Sequence, residues 1–318
     1  MINKNSKIFI AGHKGMVGSA IHHLLKKRNF KNIITVNKKI IDLRDQNKVY
    51  KFLKKKSPDA VIIAAAKVGG IYANNKFKAN FIYDNLQIQN NLIHGSYLAG
   101  INDLIFLGSS CIYPKNCKQP IKESFLLSNY LEKTNDAYAV AKIAGIKLCQ
   151  SYNSQYKTNY KCLLPCNAYG PNDNYDETNS HFFPALIKKI VNAIKDKKNH
   201  ITIWGDGTPR RELIFSYDLA DAIIYFLNKK TKEDLINIGT NDEKSIYEFA
   251  IYIMKFLKVD LNIKFKNKNL NGTSRKKLDI SLAKKYGWNY KIPIRKGLPI
   301  TISDYLESQI FNKYKIDK

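Results

Sequence analysis

From residue 7 onward the apolar positions fall in short blocks, separated by stretches in which they recur every three or four residues. Residues 7–11 form a compact apolar run that predicts a strand, and 16–27 carry helical spacing. The same alternation continues, with strands at 33–36, 60–64, 103–107 and 161–164 and helices at 45–55, 80–98 and 135–156. The runs at 60–64 and 103–107 are almost wholly apolar, as in strands covered on both faces. This order predicts an α/β fold, a Rossmann-type doubly wound parallel sheet. Beyond about Pro171 the rhythm loosens, and helices at 182–195, 218–228 and 246–257 are set among Gly- and Asn-rich loops. A smaller C-terminal α/β domain is expected there. The division falls at 1–170 and 171–318, with elements exchanged between the two parts.

Composition narrows the class. The 318 residues can bury a large core, and 44% hydrophobic with 25% charged residues is ordinary for a globular protein. No apolar run reaches the length of a membrane span, and the first apolar run is too short for a secretion signal. A cytoplasmic protein with no membrane partner is expected. Five cysteines, an odd number, argue for free thiols, and Cys162-x-x-x-Cys166 lacks a second ligand pair, so no metal site is expected. The net charge of +27 raises nucleic acid as a partner. Lysines are spread along the whole chain instead of forming a basic tail or stripe, so the charge reads as compositional bias, and no nucleic-acid partner is expected.

Chemistry first enters at Gly12-His13-Lys14-Gly15-Met16-Val17-Gly18, between the first strand and the first helix. Glycines there permit a tight turn and close approach of a pyrophosphate to the helix N-terminus, which is the arrangement of a dinucleotide site. An NAD site places a carboxylate at the end of the second strand, whereas this chain reads Thr35-Val36-Asn37-Lys38-Lys39. Lys38 and Lys14 suit a 2′-phosphate, so NADP(H) is the expected cofactor and 1–170 its domain. Further along, Tyr138 and Lys142 lie four apart on a predicted helix, with Ser109 upstream. Side chains at that spacing share a face, and an ammonium beside a phenol lowers the phenol pKa. A tyrosine so adjusted, with a serine hydroxyl, is equipment for interconverting C=O and CH–OH.

In this order the glycine loop, Ser109 and Tyr138-x-x-x-Lys142 resemble the extended short-chain dehydrogenase/reductase superfamily. Three stretches narrow the likeness: Ala64-Ala65-Ala66-Lys67-Val68-Gly69-Gly70-Ile71-x-Ala73-Asn74-Asn75, Leu107-Gly108-Ser109-Ser110-Cys111-Ile112-Tyr113-Pro114, and Ala139-Val140-Ala141-Lys142-Ile143-Ala144-Gly145-Ile146-Lys147-Leu148-Cys149. They resemble the GDP-L-fucose synthase family, which epimerises a GDP-4-keto-6-deoxysugar at C3 and C5 and then reduces C4. The resemblance implies Ser109, Tyr138 and Lys142 as the reductase set, Cys111 as the epimerisation base and His181 as its acid. It implies cofactor contacts from Gly12, Lys14, Gly15, Met16, Val17, Gly18, Lys38, Asp42, Leu43, Ala66, Leu107, Gly108, Tyr138, Lys142, Pro165, Asn167, Ala168 and His181. For the GDP-sugar it implies Ser109, Lys189, Trp204, Arg211 and Asn271, with Arg210 left in solvent. It also implies a homodimer built on helices 80–98 and 135–156.

The chain departs from that family's pattern on the substrate side. Cys166 stands for a Thr, Ala168 for a Leu and Lys189 for an Arg, and Asn271 and Ser274 alter an Asp-Gly-Thr-Pro-Arg stretch. Smaller side chains near the ring suit a different or larger sugar. A C4-reductase for another GDP-4-keto sugar, such as a 6-deoxy-heptose, therefore stands beside the fucose reading. A catalytically silent nucleotide-binding relative stands beside both.

Overall fold

The structure, a computed structural model, describes residues 2–176, 179–266 and 272–316, with side chains through 308. In chain order the elements are β1 (Lys7–Ala11), α1 (Met16–Lys27), β2 (Asn32–Ile34), α2 (Gln46–Lys56), β3 (Ala60–Ile63), α3 (Ile71–Lys76), α4 (Lys78–Leu98) and β4 (Asp103–Leu107). They continue with α5 (Asp136–Tyr156), β5 (Asn159–Pro165), β6 (Asn167–Tyr169), α6 (Phe182–Lys195), β7 (His200–Trp204), β8 (Arg210–Phe215), α7 (Ser216–Asn228) and β9 (Leu235–Ile238). The last are β10 (Glu243–Ser245), α8 (Ile246–Leu257), β11 (Asn262–Lys266), β12 (Arg275–Lys276), α9 (Ser281–Lys285) and α10 (Ile294–Ile316).

Six strands form one parallel sheet in the order β2-β1-β3-β4-β5-β9. The chain reverses its direction of travel across the sheet at β1. The crevice beyond the C-terminal ends of β1 and β3 is therefore the topological switch point at which doubly wound sheets bind ligands. Every residue of β3 and residues 104–107 of β4 are buried, as expected for strands covered on both faces. Helices α2, α4 and α5 pack in one row and α1 packs on α7. The second strand is shorter than its apolar run, because residues 35–36 have left the ladder. Asp45 is not in α2 but caps it, accepting from the Lys48 N–H at 3.1 Å.

The sheet reaches past residue 170. Strand β9 pairs with β5, and α7 lies against the same core. On β5, Lys161 is buried, and its Nζ donates to the Phe226 carbonyl of α7 at 3.0 Å. A second core gathers Tyr169, Phe183, Phe215, Phe249, Ile253, Leu298 and Tyr305 between α6, α8, α10 and β8. Around it, β8 pairs with β6, β10 and β12, and β7 pairs with β11. Glu212 of β8 locks these pieces together. Its carboxylate is fully buried and accepts from the N–H groups of Thr240 (2.5 Å), Asn241 (2.6 Å) and Leu278 (2.9 Å). No helix among the described residues is long and apolar enough to cross a membrane.

Candidate active site

The glycine loop stands where the sequence placed it, at the C-terminal end of β1. Gly12 has φ +90°, and a Cβ there would lie 2.6 Å from the Ala65 nitrogen. A Cβ on Gly18 would lie 2.0 Å from the Gly12 carbonyl oxygen, so this glycine serves the fold of the loop itself. Gly15 is different. Its Cβ would meet nothing closer than that carbonyl at 3.7 Å, and it caps α1 without a side-chain hydrogen bond. The first N–H groups of α1, at Met16 and Val17, thus open onto a bare concave turn, a seat that fits a pyrophosphate.

Around the turn, Lys14 and Lys38 are exposed. Asp42 is gripped by Arg44, which holds its carboxyl down at about 2. Arg44 also reaches Asp84 at 2.9 Å, and Asp84 takes Lys67 at 2.8 Å. The Leu43 carbonyl is fixed by Asn91 Nδ2 at 3.0 Å. Ala66 follows β3, Leu107 ends β4 and Gly108 follows it. Pro165 ends β5, and Asn167 and Ala168 lie on β6. These residues border the C-terminal ends of the central strands.

Next to this crevice lies a cavity of about 260 Å³. Ser109, Cys111, Tyr138, Asn167, His181, Lys189, Trp204 and Arg211 all line it. Six elements or turns deliver them from both cores. The Cys111 thiol donates to Ser109 Oγ at 3.1 Å, and Ser109 Oγ caps the short turn Ser110–Ile112. Tyr138 and Lys142 occupy successive turns of α5, and Lys142 Nζ sits 5.8 Å from the centre of the Tyr138 ring. Asn271 lies outside the described residues.

Tyr138 does not carry the lowered phenol that its spacing from Lys142 predicts. The sequence predicted a phenol lowered by its lysine, whereas the Tyr138 pKa is raised, first by burial and then by Cys111, with the Ser109 hydrogen bond opposing. Lys142 does not relieve it. Its ammonium donates to the Leu107 carbonyl at 2.8 Å and lies 4.6 Å over the Phe106 ring. Burial brings Lys142 itself down to about 8. Spacing identifies a tyrosine's neighbour, whereas its pKa is set by how much water it keeps. The Cys111 thiol is likewise raised by burial and pulled back by Lys276, Ser109 and Lys142. His181 is lowered by burial and by Lys276.

On the far wall, Lys189 Nζ donates to the Thr202 carbonyl at 2.7 Å and lies 5.6 Å over the Trp204 ring. Tyr72 meets Trp204 edge to face at 6.4 Å, so two aromatic rings stand together at the cavity mouth. Arg211 is buried and drawn down to about 10 by desolvation. Arg210, read from sequence as solvated, is instead paired with Glu243 and Glu248. The departures at Cys166 and Ala168 do not widen the cavity. Neither lines it, and both pack into the larger core.

The sequence missed part of this wall. Gly69, Gly70, Ile71 and Asn74 line the cavity from a stretch that was legible as a motif but carried no role. Gly70 N–H donates to the Asn179 carbonyl at 2.9 Å, and a Cβ on Gly70 would lie 2.5 Å from the Ser180 carbonyl oxygen. This contact fixes the segment that carries His181. Lys276 was also missed, since nothing sets one lysine apart among so many.

Comparison with known proteins gives a consistent picture. Residues 8–239 match the NAD dependent epimerase/dehydratase family. The chain is 42% identical over 312 residues to GDP-L-fucose synthase of Escherichia coli strain K12, covering 95% of this chain and 97% of that one. It is 44% identical over 302 residues to GDP-L-fucose synthase of Sinorhizobium fredii, covering 95% and 96%. Among solved structures it is similar to a GDP-mannoheptose C4 reductase from Campylobacter jejuni with NADP bound. That match has a TM-score of 0.86 and 36% identity, over 96% of this chain and 99% of that one.

Proposed function

The chain belongs to the NAD dependent epimerase/dehydratase family, and we propose that it converts GDP-4-keto-6-deoxy-D-mannose to GDP-L-fucose with NADP(H). One observation carries this reading. Ser109, Tyr138, Cys111 and His181, a carbonyl-binding pair and an acid–base pair, line one cavity beyond the C-terminal end of β4. A carbonyl reductase needs only the first pair, and the second gives the site a means of inverting carbon.

Bound NADP(H) supplies the hydride that reduces C4. Its pyrophosphate fits the bare turn at Gly15, Met16 and Val17, and its 2′-phosphate fits the exposed Lys14 and Lys38. Ser109 and Tyr138 hold the C4 oxygen, so charge that develops on it is stabilised by two hydroxyl donors. The protons on C3 and C5 flank this ketone and are acidified by it. Cys111, as thiolate, takes a proton from carbon while the C–H electron pair moves to the C4 oxygen. His181 returns a proton on the opposite face. Tyr138 then protonates that oxygen as C4 is reduced. The phenol, whose pKa burial raises, is protonated at neutral pH and so starts as the proton donor. Lys142, whose ammonium donates to the Leu107 carbonyl, would hold the nicotinamide ribose. Arg211 and Lys189 face the diphosphate, and Trp204 faces the nucleoside.

The reading divides the chain into a cofactor part, 1–170, and a sugar part, 171–318, with α7 and β9 returned to the cofactor sheet. It includes a homodimer formed through α4 and α5. Their exposed faces carry Tyr83 and Val140, and Tyr97 stacks on Tyr156 with ring centres 4.2 Å apart. It also places the enzyme in the cytoplasm, in keeping with five free thiols. The test is incubation with GDP-4-keto-6-deoxymannose in D2O, with and without NADPH. Deuterium at C3 and C5 together with NADPH oxidation is the expected result. Oxidation without exchange refutes the epimerase half and leaves a C4 reductase. Neither outcome on any GDP-4-keto sugar refutes the whole.

A further inference from the structure

Among the charged side chains of the cavity, Lys276 has no place in the reaction described above. It stands on β12, where parallel pairing sets it beside Arg211 of β8. On that short strand Arg275 turns outward and holds Glu243 through Nε at 2.9 and 3.0 Å, while Lys276 turns into the cavity. Among the described residues no hydrogen bond or ion pair engages its ammonium. Glu132 is the carboxylate that acts on it, and Glu132 is already bound by Lys115 at 2.9 Å. A lysine ammonium facing a cavity without a carboxylate of its own is placed there for another anion.

The groups around it are Cys111 and Ser109 from the turn after β4, Tyr138 and Lys142 from α5, His181 at the start of α6, Arg211 from β8, and Glu132 and Cys117 from the intervening loop. Burial lowers the Lys276 pKa and Arg211 lowers it further, and Cys111 is the partner that most opposes them. In return Lys276 acts on Cys111 ahead of both the Ser109 hydrogen bond and Lys142. The same ammonium disfavours a second positive charge at His181. One fixed cation thus favours the thiolate form of Cys111 over its thiol, the form in which it can take a proton.

We propose that Lys276 is the counter-ion of the Cys111 thiolate, a positioning residue that makes Cys111 the proton acceptor in its pair with His181. The proposal rests on the epimerase reading for its use, but not for its test. When Cys111 takes a proton from carbon, the negative charge passes to the C4 oxygen at Ser109 and Tyr138. Lys276 then favours return of the thiolate once the proton is released to solvent.

The test uses the full-length protein without sugar. Alkylation of Cys111 by iodoacetamide is followed against pH by mass spectrometry, and cleavage after Lys115 separates Cys111 from Cys117. Lys276→Met and Lys276→Gln are expected to move the alkylation midpoint up by about one pH unit, slowing the reaction about tenfold at pH 7. Lys276→Gln keeps a polar group and serves if the Met variant does not fold. Lys276→Arg keeps the charge and restores most of the native profile. GDP affinity stays within about threefold. An unchanged alkylation profile in the charge-removing variants overturns the proposal. So does a tenfold loss of GDP affinity with that profile unchanged, which makes Lys276 a phosphate anchor. If the profile shifts but the native enzyme exchanges no deuterium into any GDP-4-keto sugar, the epimerase reading fails and the Lys276–Cys111 pairing stands.

Discussion

Replacing Gly70 with alanine tests whether the cavity wall sets the position of His181. Gly70 has φ −68° and ψ 179°, a conformation that alanine adopts freely, so the substitution adds one methyl group and no backbone strain. That methyl carbon would lie 2.5 Å from the Ser180 carbonyl oxygen. To reach an ordinary contact of 3.4 Å the two segments must part by about 0.9 Å. Parting them also stretches the 2.9 Å hydrogen bond from Gly70 N–H to the Asn179 carbonyl. His181 is the next residue after Ser180, so it moves with the segment. A misplacement of that size costs a proton-transfer step about 10- to 100-fold. Overpacking costs about 1–3 kcal/mol of stability and lowers Tm by several degrees. Deuterium exchange at C3 and C5 reads the first effect and calorimetry the second. NADPH affinity serves as the control, because the glycine turn is untouched. Exchange within twofold of the native rate in a folded Gly70→Ala protein would refute the claim that this contact positions the histidine.

Three further predictions address the rest of the site. Gly15→Ala folds normally, since its methyl meets nothing within 3.7 Å, but NADPH affinity falls at least about tenfold as the methyl enters the pyrophosphate seat; unchanged affinity by fluorescence titration would move the cofactor elsewhere. Tyr138→Phe keeps the edge contact with Phe81 at 6.4 Å and loses only the hydroxyl; NADPH oxidation falls about 100- to 10,000-fold with NADPH binding within about twofold, and undiminished turnover removes Tyr138 from the chemistry. The third concerns acid. Asp42 is lowered from 3.8 to about 2, chiefly by the Arg44 hydrogen bond, so its contribution is present above 3.8 and is lost as pH falls through 2. Asp84 is lowered too, chiefly by Lys67 and then by Arg44. Arg44→Met therefore shifts acid unfolding to higher pH, read by circular dichroism, and an unmoved midpoint would show that these exposed pairs contribute nothing measurable.

The parallel sheet was legible because its strands are buried on both faces and its helices are long enough to repeat their apolar spacing. The smaller half resisted reading for a physical reason. Strands β6 and β10 have three residues and β12 two, too few for a period-two pattern to register; they are held by pairing with β8, whose Glu212 ties the loops beside β10 and β12. The helix α10 carries Pro299, which breaks a helical reading of that stretch. Ser109 and Cys111 could be located in advance because they stand two residues apart just after β4, whereas His181 was implied by the resemblance alone. Lys276 could not, since it reaches Cys111 only after β12 is laid beside β8. Burial decided the protonation of Tyr138, and burial is a property of the assembled walls.

The lone ammonium on β5 has a consequence for synthesis. When a nascent chain has emerged only as far as Pro165, the outer edge of that strand has no partner. Leu235 lies about seventy residues further along the chain. An unpaired apolar edge invites other chains, and an inward-pointing charge is a known deterrent. Until the carbonyl of Phe226 arrives to accept its hydrogen bond, the Lys161 ammonium keeps that strand hydrated, so the ribosome's unfinished product carries a deterrent against clumping.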